Sequence, residues 1–351
     1  MGSPAKIRLS LSPQAARYVR KDAPVEVRRM AASGALPLEP VELATVLFAL
    51  IHDSDAEVKT RAGESLAELP EPVALSVLDG SPHPAVLSHL ARVHLESETH
   101  CEKIALNPST DDSTIAFLAT LPQRRVIDIV SNNQERLSRD EEIVEALGSN
   151  PLTGRAVLER ILTFLGVDDH DDLADPVSVG SEQAEAAVRA LLGDEMAEFA
   201  PHFAREDDLD DEALASNLFA AIQKMSVMQK IKLARVGGKE ARTLLVRDRN
   251  KVVSMSVLLS PKLTDSEVVT IAKSRNVSDE ILRLIARNRD WTKHYQVKSS
   301  LATNPKCPQP DAIKLLNYLQ DRELRTIMKS KDVPSAISSH ARRILSKKGK
   351  V

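Results

Sequence analysis

Asp22-Ala23-Pro24-Val25-Glu26-Val27-Arg28-Arg29-Met30-Ala31 is followed, 31 residues on, by Asp53-Ser54-Asp55-Ala56-Glu57-Val58-Lys59-Thr60-Arg61-Ala62. In each copy an aspartate leads at fixed distance to a valine, a basic residue and an alanine. Valine and alanine four apart share one face of a helix, and an aspartate ahead of them suits a helix start. Self-similarity at a fixed period has a physical meaning. Each short helical unit has too little apolar face to be stable alone, so neighbours must stack into one continuous interior.

Working outward, a second period appears. Asn107-Pro108-Ser109-Thr110 recurs 43 residues later as Asn150-Pro151-Leu152-Thr153, with Ile115 and Leu118 falling on Leu158 and Ile161. Val253 to Thr264 maps with a shift of 44 onto Val297 to Pro308, so that Ser256, Pro261 and Lys262 fall on Ser300, Pro305 and Lys306. Val269 and Ile271 fall on Ile313 and Leu315. The offset of 110 from Pro151 to Pro261 is not a multiple of either period, so something interrupts the two arrays.

The segments between these landmarks read as helices. Apolar residues at helical spacing run from Val41 to His52, Ala56 to Leu69, Val73 to Leu78, Ala85 to Leu95, Thr114 to Leu121 and Glu142 to Leu147. Thr264-Asp265-Ser266-Glu267 and Ser138-Arg139-Asp140-Glu141 read as capping boxes. Gly237-Gly238 marks a break between helices near Val227–Val236 and Lys239–Val246. Aromatic residues make up only 3% of the chain and glycines number 12, which disfavours a sandwich or barrel. The fold expected is all-α.

Asp53, Asp55, Val58, Lys59, Ala62 and Leu66 resemble the second helix of HEAT repeats, with its Asp-x-Asp-x-x-Val-Arg-x-x-Ala-x-x-x-Leu pattern. The first copy matches through Asp22, Val27, Arg28 and Ala31, with Pro24 in place of the second aspartate. Periods of 43 and 44 fall in the HEAT and armadillo range. The resemblance implies an α-solenoid of HEAT/armadillo-like helical hairpins in two arrays, residues 1–165 and 224–351. An acidic linker region with short helices, 166–223, would join them. It also implies a non-catalytic scaffold that binds other macromolecules.

The charge is sharply divided. Met1 to Leu165 carries a net −6, Gly166 to Gln223 a net −14, and Lys224 to Val351 a net +17, within a whole chain of −3. Either the acidic middle and the basic end neutralise each other inside the molecule, or the basic end meets an anionic partner. Its cations have helical order. Arg283 and Arg287 are four apart, Arg322, Arg325 and Lys329 fall at i, i+3 and i+7, and Arg343 and Lys347 are four apart. These seven residues are the expected anion-binding surface, facing an acidic protein surface or segment, or alternatively a nucleic acid. Charged solvent faces are also what any amphipathic helix needs. Trp291 and Tyr295, read as i, i+4 on one helix, suit an inter-repeat contact better than a base-stacking platform.

Other chemistry is thin. The phosphate-loop, dinucleotide, nucleophile-elbow and zincin motifs are absent, and no cofactor, metal or catalytic residue is expected. Gly237-Gly238 follows no strand, which favours a turn between helices over a phosphate site. His89 and His94 are five apart, roughly 140° around a helix, so they cannot chelate from one face with His100 and Cys101. Asp208-Leu209-Asp210-Asp211-Glu212 lacks the glycine and terminal glutamate of a calcium loop. Cys101 and Cys307 read as buried small hydrophobes, and two cysteines suit a reducing compartment. With no apolar run near the roughly 18 residues of a membrane helix, no leader pattern and no myristoylation signal at Met1–Lys6, a cytoplasmic chain is expected, with no membrane partner.

Overall fold

In a computed structural model the chain is described at residues 7–20, 22–167, 181–207 and 212–349, and every regular element among them is helical. The chain divides into two compact units, Met1–Phe164 and Leu165–Val351. The first holds α1 (Pro13–Val19), α2 (Val25–Ala32), α3 (Pro40–Leu50), α4 (Ala56–Ala67), α5 (Glu71–Asp79), α6 (Pro84–Val93), α7 (Glu98–Leu106), α8 (Asp112–Thr120), α9 (Arg124–Ser131), α10 (Gln134–Arg139), α11 (Glu141–Ser149) and α12 (Arg155–Phe164). The second begins with α13 (Ser181–Leu192), a 3-10 stretch (Asp194–Phe199), α14 (Ala200–Ala204), α15 (Glu212–Lys224), α16 (Val227–Val236), α17 (Lys239–Leu245) and α18 (Lys251–Leu258). It continues through α19 (Asp265–Lys273), α20 (Asp279–Arg287), a 3-10 turn (Trp291–Lys293), α21 (Tyr295–Thr303), α22 (Gln309–Leu316), α23 (Asp321–Lys329) and α24 (Ser335–Lys347). The described parts of the acidic middle region thus belong to the same compact unit as the basic helices.

The quoted repeat explains the start of the first unit. Asp55 caps α4 by accepting from the N–H groups of Glu57 and Val58 at 3.1 and 3.0 Å. Val58, Ala62 and Leu66 then form a fully buried stripe. The two larger side chains contribute roughly 1.5–3 kcal/mol each by leaving water, as upper values. The basic residue of the first copy meets the aspartate of the second: Arg28 pairs with Asp53, and both side chains are nearly buried. Burial alone would raise the Asp53 pKa, but the Arg28 hydrogen bond and the Asp55 N–H together hold it below the usual carboxylate value.

One helix in each unit is buried nearly all round. In α3, Leu43, Ala44, Val46, Leu47, Phe48 and Leu50 are buried, and α1, α4 and α5 pack around it. In α18 every residue from Val252 to Leu258 is buried. A helix without an exposed face is enclosed by others and marks the centre of its unit.

The Asn-Pro periodicity has a structural cause. The buried Asn107, after α7, donates from Nδ2 to the carbonyls of Leu78 and Gly80 at the end of α5, at 2.7 and 2.9 Å. Asn150, after α11, does the same to Ala119 and Leu121 at the end of α8, at 2.7 and 2.8 Å. Asn304, after α21, bonds Ala272 and Ser274 at the end of α19, at 2.8 and 2.9 Å. Each asparagine amide thereby satisfies carbonyls that the end of another helix leaves orphaned. Each carboxamide oxygen accepts the N–H two residues on, from Ser109, Leu152 or Lys306. The three asparagines share one extended conformation, with ψ of 125, 126 and 122°, the geometry that a following proline favours.

Some local expectations are corrected. Thr264 and Glu267 do form a capping box on α19, but Ser138 lies inside α10, and the cap of α11 is Asp140, accepting from Glu142 N–H. An aspartate one residue from the helix start outcompetes a serine still bound into the preceding helix. Capping boxes also form at Ser226–Gln229 on α16 and Gln320–Glu323 on α23. Trp291 and Tyr295 do not share a helix. Trp291 opens the short 3-10 turn and Tyr295 starts α21, with His294 extended between them.

Candidate functional site

The last two helices of the second unit, α23 and α24, pack directly on each other. Leu324 and Ile327 of α23 and Ile337, Ala341 and Leu345 of α24 are the buried side chains of this hairpin. The burial pattern leaves Arg322, Arg325 and Lys329 on the exposed side of α23, and Arg343 and Lys347 on the exposed side of α24. Lys348 Nζ reaches Asp321 at 3.0 Å, tying the end of α24 to the start of α23. The hairpin is therefore antiparallel, and Arg322 and Lys347 lie at the same end.

The hairpin contains three acidic residues, each engaged. Asp321 holds Lys348, and Asp332 holds Arg275 at 2.9 Å. Glu323 closes the capping box with Gln320, accepts from Ser299 Oγ at 2.8 Å and receives the Tyr295 hydroxyl. Among the described residues Arg322, Lys329 and Lys347 make no ion pair. Arg343 lies 2.7 Å from His340 Nδ1. Partial burial, then the charges of Arg343 and Lys347, hold the His340 pKa below the ordinary imidazole value.

The other two expected cations are placed differently. Arg283 faces Asp279 on its own helix α20 at 3.6 Å, and Arg287 faces Asp311 of α22 at 3.9 Å. Five of the seven expected residues thus share one helical hairpin, and two are partly neutralised on α20.

A second polar cluster in this unit was not legible as one. Arg242 of α17 is 1% exposed and uses Nε and Nη2 to bond Glu267 of α19 at 2.9 and 3.2 Å. Its Nη1 donates to the Gly237 carbonyl at 2.9 Å, and its Nη2 also reaches Glu206 at 2.6 Å. Glu206 lies 3.9 Å from Lys262 Nζ, which donates to the Val236 carbonyl at 3.0 Å. Burial opposes the charge on Glu267, yet the Arg242 and Thr264 hydrogen bonds keep its pKa below the usual carboxylate value. Burial is also the largest influence on Lys262 and lowers its pKa, against the pull of Glu206. The only advance signal was Glu267 in its capping box. The two carboxylates on Arg242 lie 25 and 36 residues from it in sequence.

Gly237-Gly238 serves this cluster. The Gly238 N–H donates to the Phe203 carbonyl at 2.6 Å and the Lys239 N–H to the Arg205 carbonyl at 3.0 Å. A Cβ on Gly238 would stand 1.8 Å from the Arg205 carbonyl oxygen, so only glycine admits the segment that delivers Glu206.

The histidines part company. His89 lies edge-on to Phe48 with ring centroids 5.7 Å apart, whereas His94 stacks on His100 at 4.6 Å. Among the described residues no group of histidine, cysteine and carboxylate side chains has metal-binding geometry. Both cysteines are buried. Burial raises the Cys101 pKa, and burial with the nearby Asp311 pushes Cys307 up to about 12, so neither is a ready nucleophile. The Asp208–Asp211 part of the acidic run lies outside the described residues. No helix among the described residues is long and apolar enough to cross a membrane. No protein-family model, curated protein or solved structure matches the chain.

Proposed function

We propose that the chain is a non-catalytic, HEAT/armadillo-like helical-repeat scaffold that binds an acidic protein segment through the α23–α24 hairpin. The carrying observation is the hairpin itself, with Arg322, Arg325, Lys329, Arg343 and Lys347 exposed or half-buried and every acid of the hairpin engaged. Attraction to a polyanion needs such a local excess of one sign. The hairpin, residues 321–348, has no Phe, Tyr or Trp, which favours a carboxylate-rich polypeptide over stacked bases. The repeat reading is supported by the asparagine brackets and by Arg28 reaching from one sequence copy to the next. Two buried free thiols agree with a cytoplasmic, reducing setting.

The nucleic-acid alternative has one observation of its own. Tyr318, 63% exposed in the turn before α23, carries Lys298 Nζ 4.9 Å from its ring centroid. An open aromatic face beside cations is the element from which single-strand sites are built.

The test is binding of the full chain to a labelled hexa-glutamate peptide, a DNA duplex and a single strand across a salt series. Preference for the peptide, lost in Arg322→Glu/Lys329→Glu, is expected. That variant should fold with stability changed by no more than about 0.5 kcal/mol per site, because both positions are exposed. Steep salt-dependent duplex binding would replace the protein reading with the nucleic-acid one. Binding of the single strand that fails in Tyr318→Ala would do the same.

A further inference from the structure

Arg242 has two carboxylate partners of different standing. Glu267 is 6% exposed and locked by Thr264, whereas Glu206 is 49% exposed and reaches the guanidinium from the solvent side. With Glu206 taken away, Arg242 would still be held by Glu267 and the Gly237 carbonyl, and Lys262 by the Val236 carbonyl. Two guanidinium N–H groups and an ammonium would stay fixed in place and open on the side Glu206 now fills. A fixed cationic pair is a ready seat for a carboxylate, since little ordering remains to be done on binding.

We infer that Arg242 and Lys262 form a carboxylate receptor that the chain plugs with its own Glu206, for which an acidic partner segment competes. The inference rests on the proposed acidic partner but uses a different surface. The Phe203 side chain is fully buried, and the Phe203 and Arg205 carbonyls stay bonded to Gly238 and Lys239, so exchange concerns the Glu206 side chain. The reciprocal sense follows. A partner carboxylate on Arg242 releases the Glu206 side chain to solvent, while the backbone bonds to Gly238 and Lys239 remain.

The experiment uses the full chain carrying Arg322→Glu/Lys329→Glu, so that the hairpin is silent, with labelled hexa-glutamate as probe. Glu206→Ala in this background is expected to tighten binding about tenfold, the gain expected if the plug leaves about a tenth of receptors open. Adding Lys262→Met should remove that gain. A second readout is the melting temperature of Glu206→Ala, expected to recover in sodium acetate but not in sodium chloride of equal ionic strength. Equal affinity with and without Glu206, or equal response to the two salts, overturns the receptor. Neither outcome touches the hairpin reading, which is decided in the chain with Glu206 intact.

Discussion

Two kinds of bracket hold helix ends in this molecule, and their difference is instructive. At Asn107, Asn150 and Asn304 a neutral amide supplies both hydrogen bonds to the carbonyls of another helix. In the α16–α18 pair Ser260 stands where those sites have asparagine. The task is divided there: Ser260 Oγ reaches the Arg235 carbonyl at 3.4 Å, and Lys262 Nζ reaches that of Val236 at 3.0 Å. A neutral bracket is complete in itself. A lysine bracket brings a charge into a half-buried place, and a carboxylate is needed to answer it. Glu206 is that carboxylate, and the double glycine admits it. The departure from the repeated pattern and the entry of long-range electrostatics occur at the same point, as expected where a local rule yields to another requirement.

The comparison breaks most readily at a neutral bracket. Asn150→Ala should leave the Ala119 and Leu121 carbonyls buried without their donor, at a cost of about 3 kcal/mol. Asn150→Asp should do no better, because an ionised carboxylate cannot donate. Urea unfolding of the first unit reads the loss. A cost below about 1 kcal/mol would show that the carbonyls find other donors and that the bracket is incidental.

Next comes the charged bracket. Gly238→Ala forces a methyl onto the Arg205 carbonyl, and relief requires the Phe203–Glu206 segment to lift off α17. About 2 kcal/mol is expected, confined to the unfolding of the second unit, with faster amide exchange at Gly238 and Lys239. Unchanged exchange at those two amides would mean that the segment is not seated by them. Lys262→Met should cost less, about 1 kcal/mol. It removes one hydrogen bond and one ion pair, and it also relieves a charge that burial already disfavours.

How far the sequence reaches follows the same division. Short-range regularities were legible. The run from Ala56 is α4, Thr264 does cap α19, and the Asn-Pro pairs mark real helix ends. Helices with weak apolar periodicity were missed: α7 carries Glu98, Glu102 and Lys103 on nine residues, and α10 has only Leu137 buried. The candidate surface was legible in part. Spacing on one helix identified the exposed stripe of α23, but nothing in the spacing of Arg283 and Arg287 reveals Asp311, which comes from another helix. The Arg242 cluster joins residues from three separate segments, and an isolated arginine in an amphipathic helix carries no sign of such partners.

The smallest effect expected is a pH dependence of the first unit. In the first unit, burial and then the neighbouring His100 lower the pKa of His94, and burial and then His52 lower that of His89, each below the ordinary imidazole value of 6.5. The buried His94 Nε2 has no hydrogen-bond partner, so a proton added there meets no acceptor and faces the stacked His100 ring. The unfolded chain therefore takes up protons more readily than the folded one below pH 6.5. The stability these residues contribute is complete above that value and declines as pH falls through and below it. Asp53, whose pKa is lowered from 3.8, opens a separate window further down: its contribution is complete above that value and is lost as pH falls past it toward the folded-state value. Acid titration of first-unit unfolding should thus fall in two stages. His94→Phe should shrink the upper stage without touching the lower, since a phenyl ring can stack on His100 and takes no proton. If the upper stage persists at full size in His94→Phe/His89→Phe, the acid sensitivity belongs to other groups and the stacked pair has no part in it.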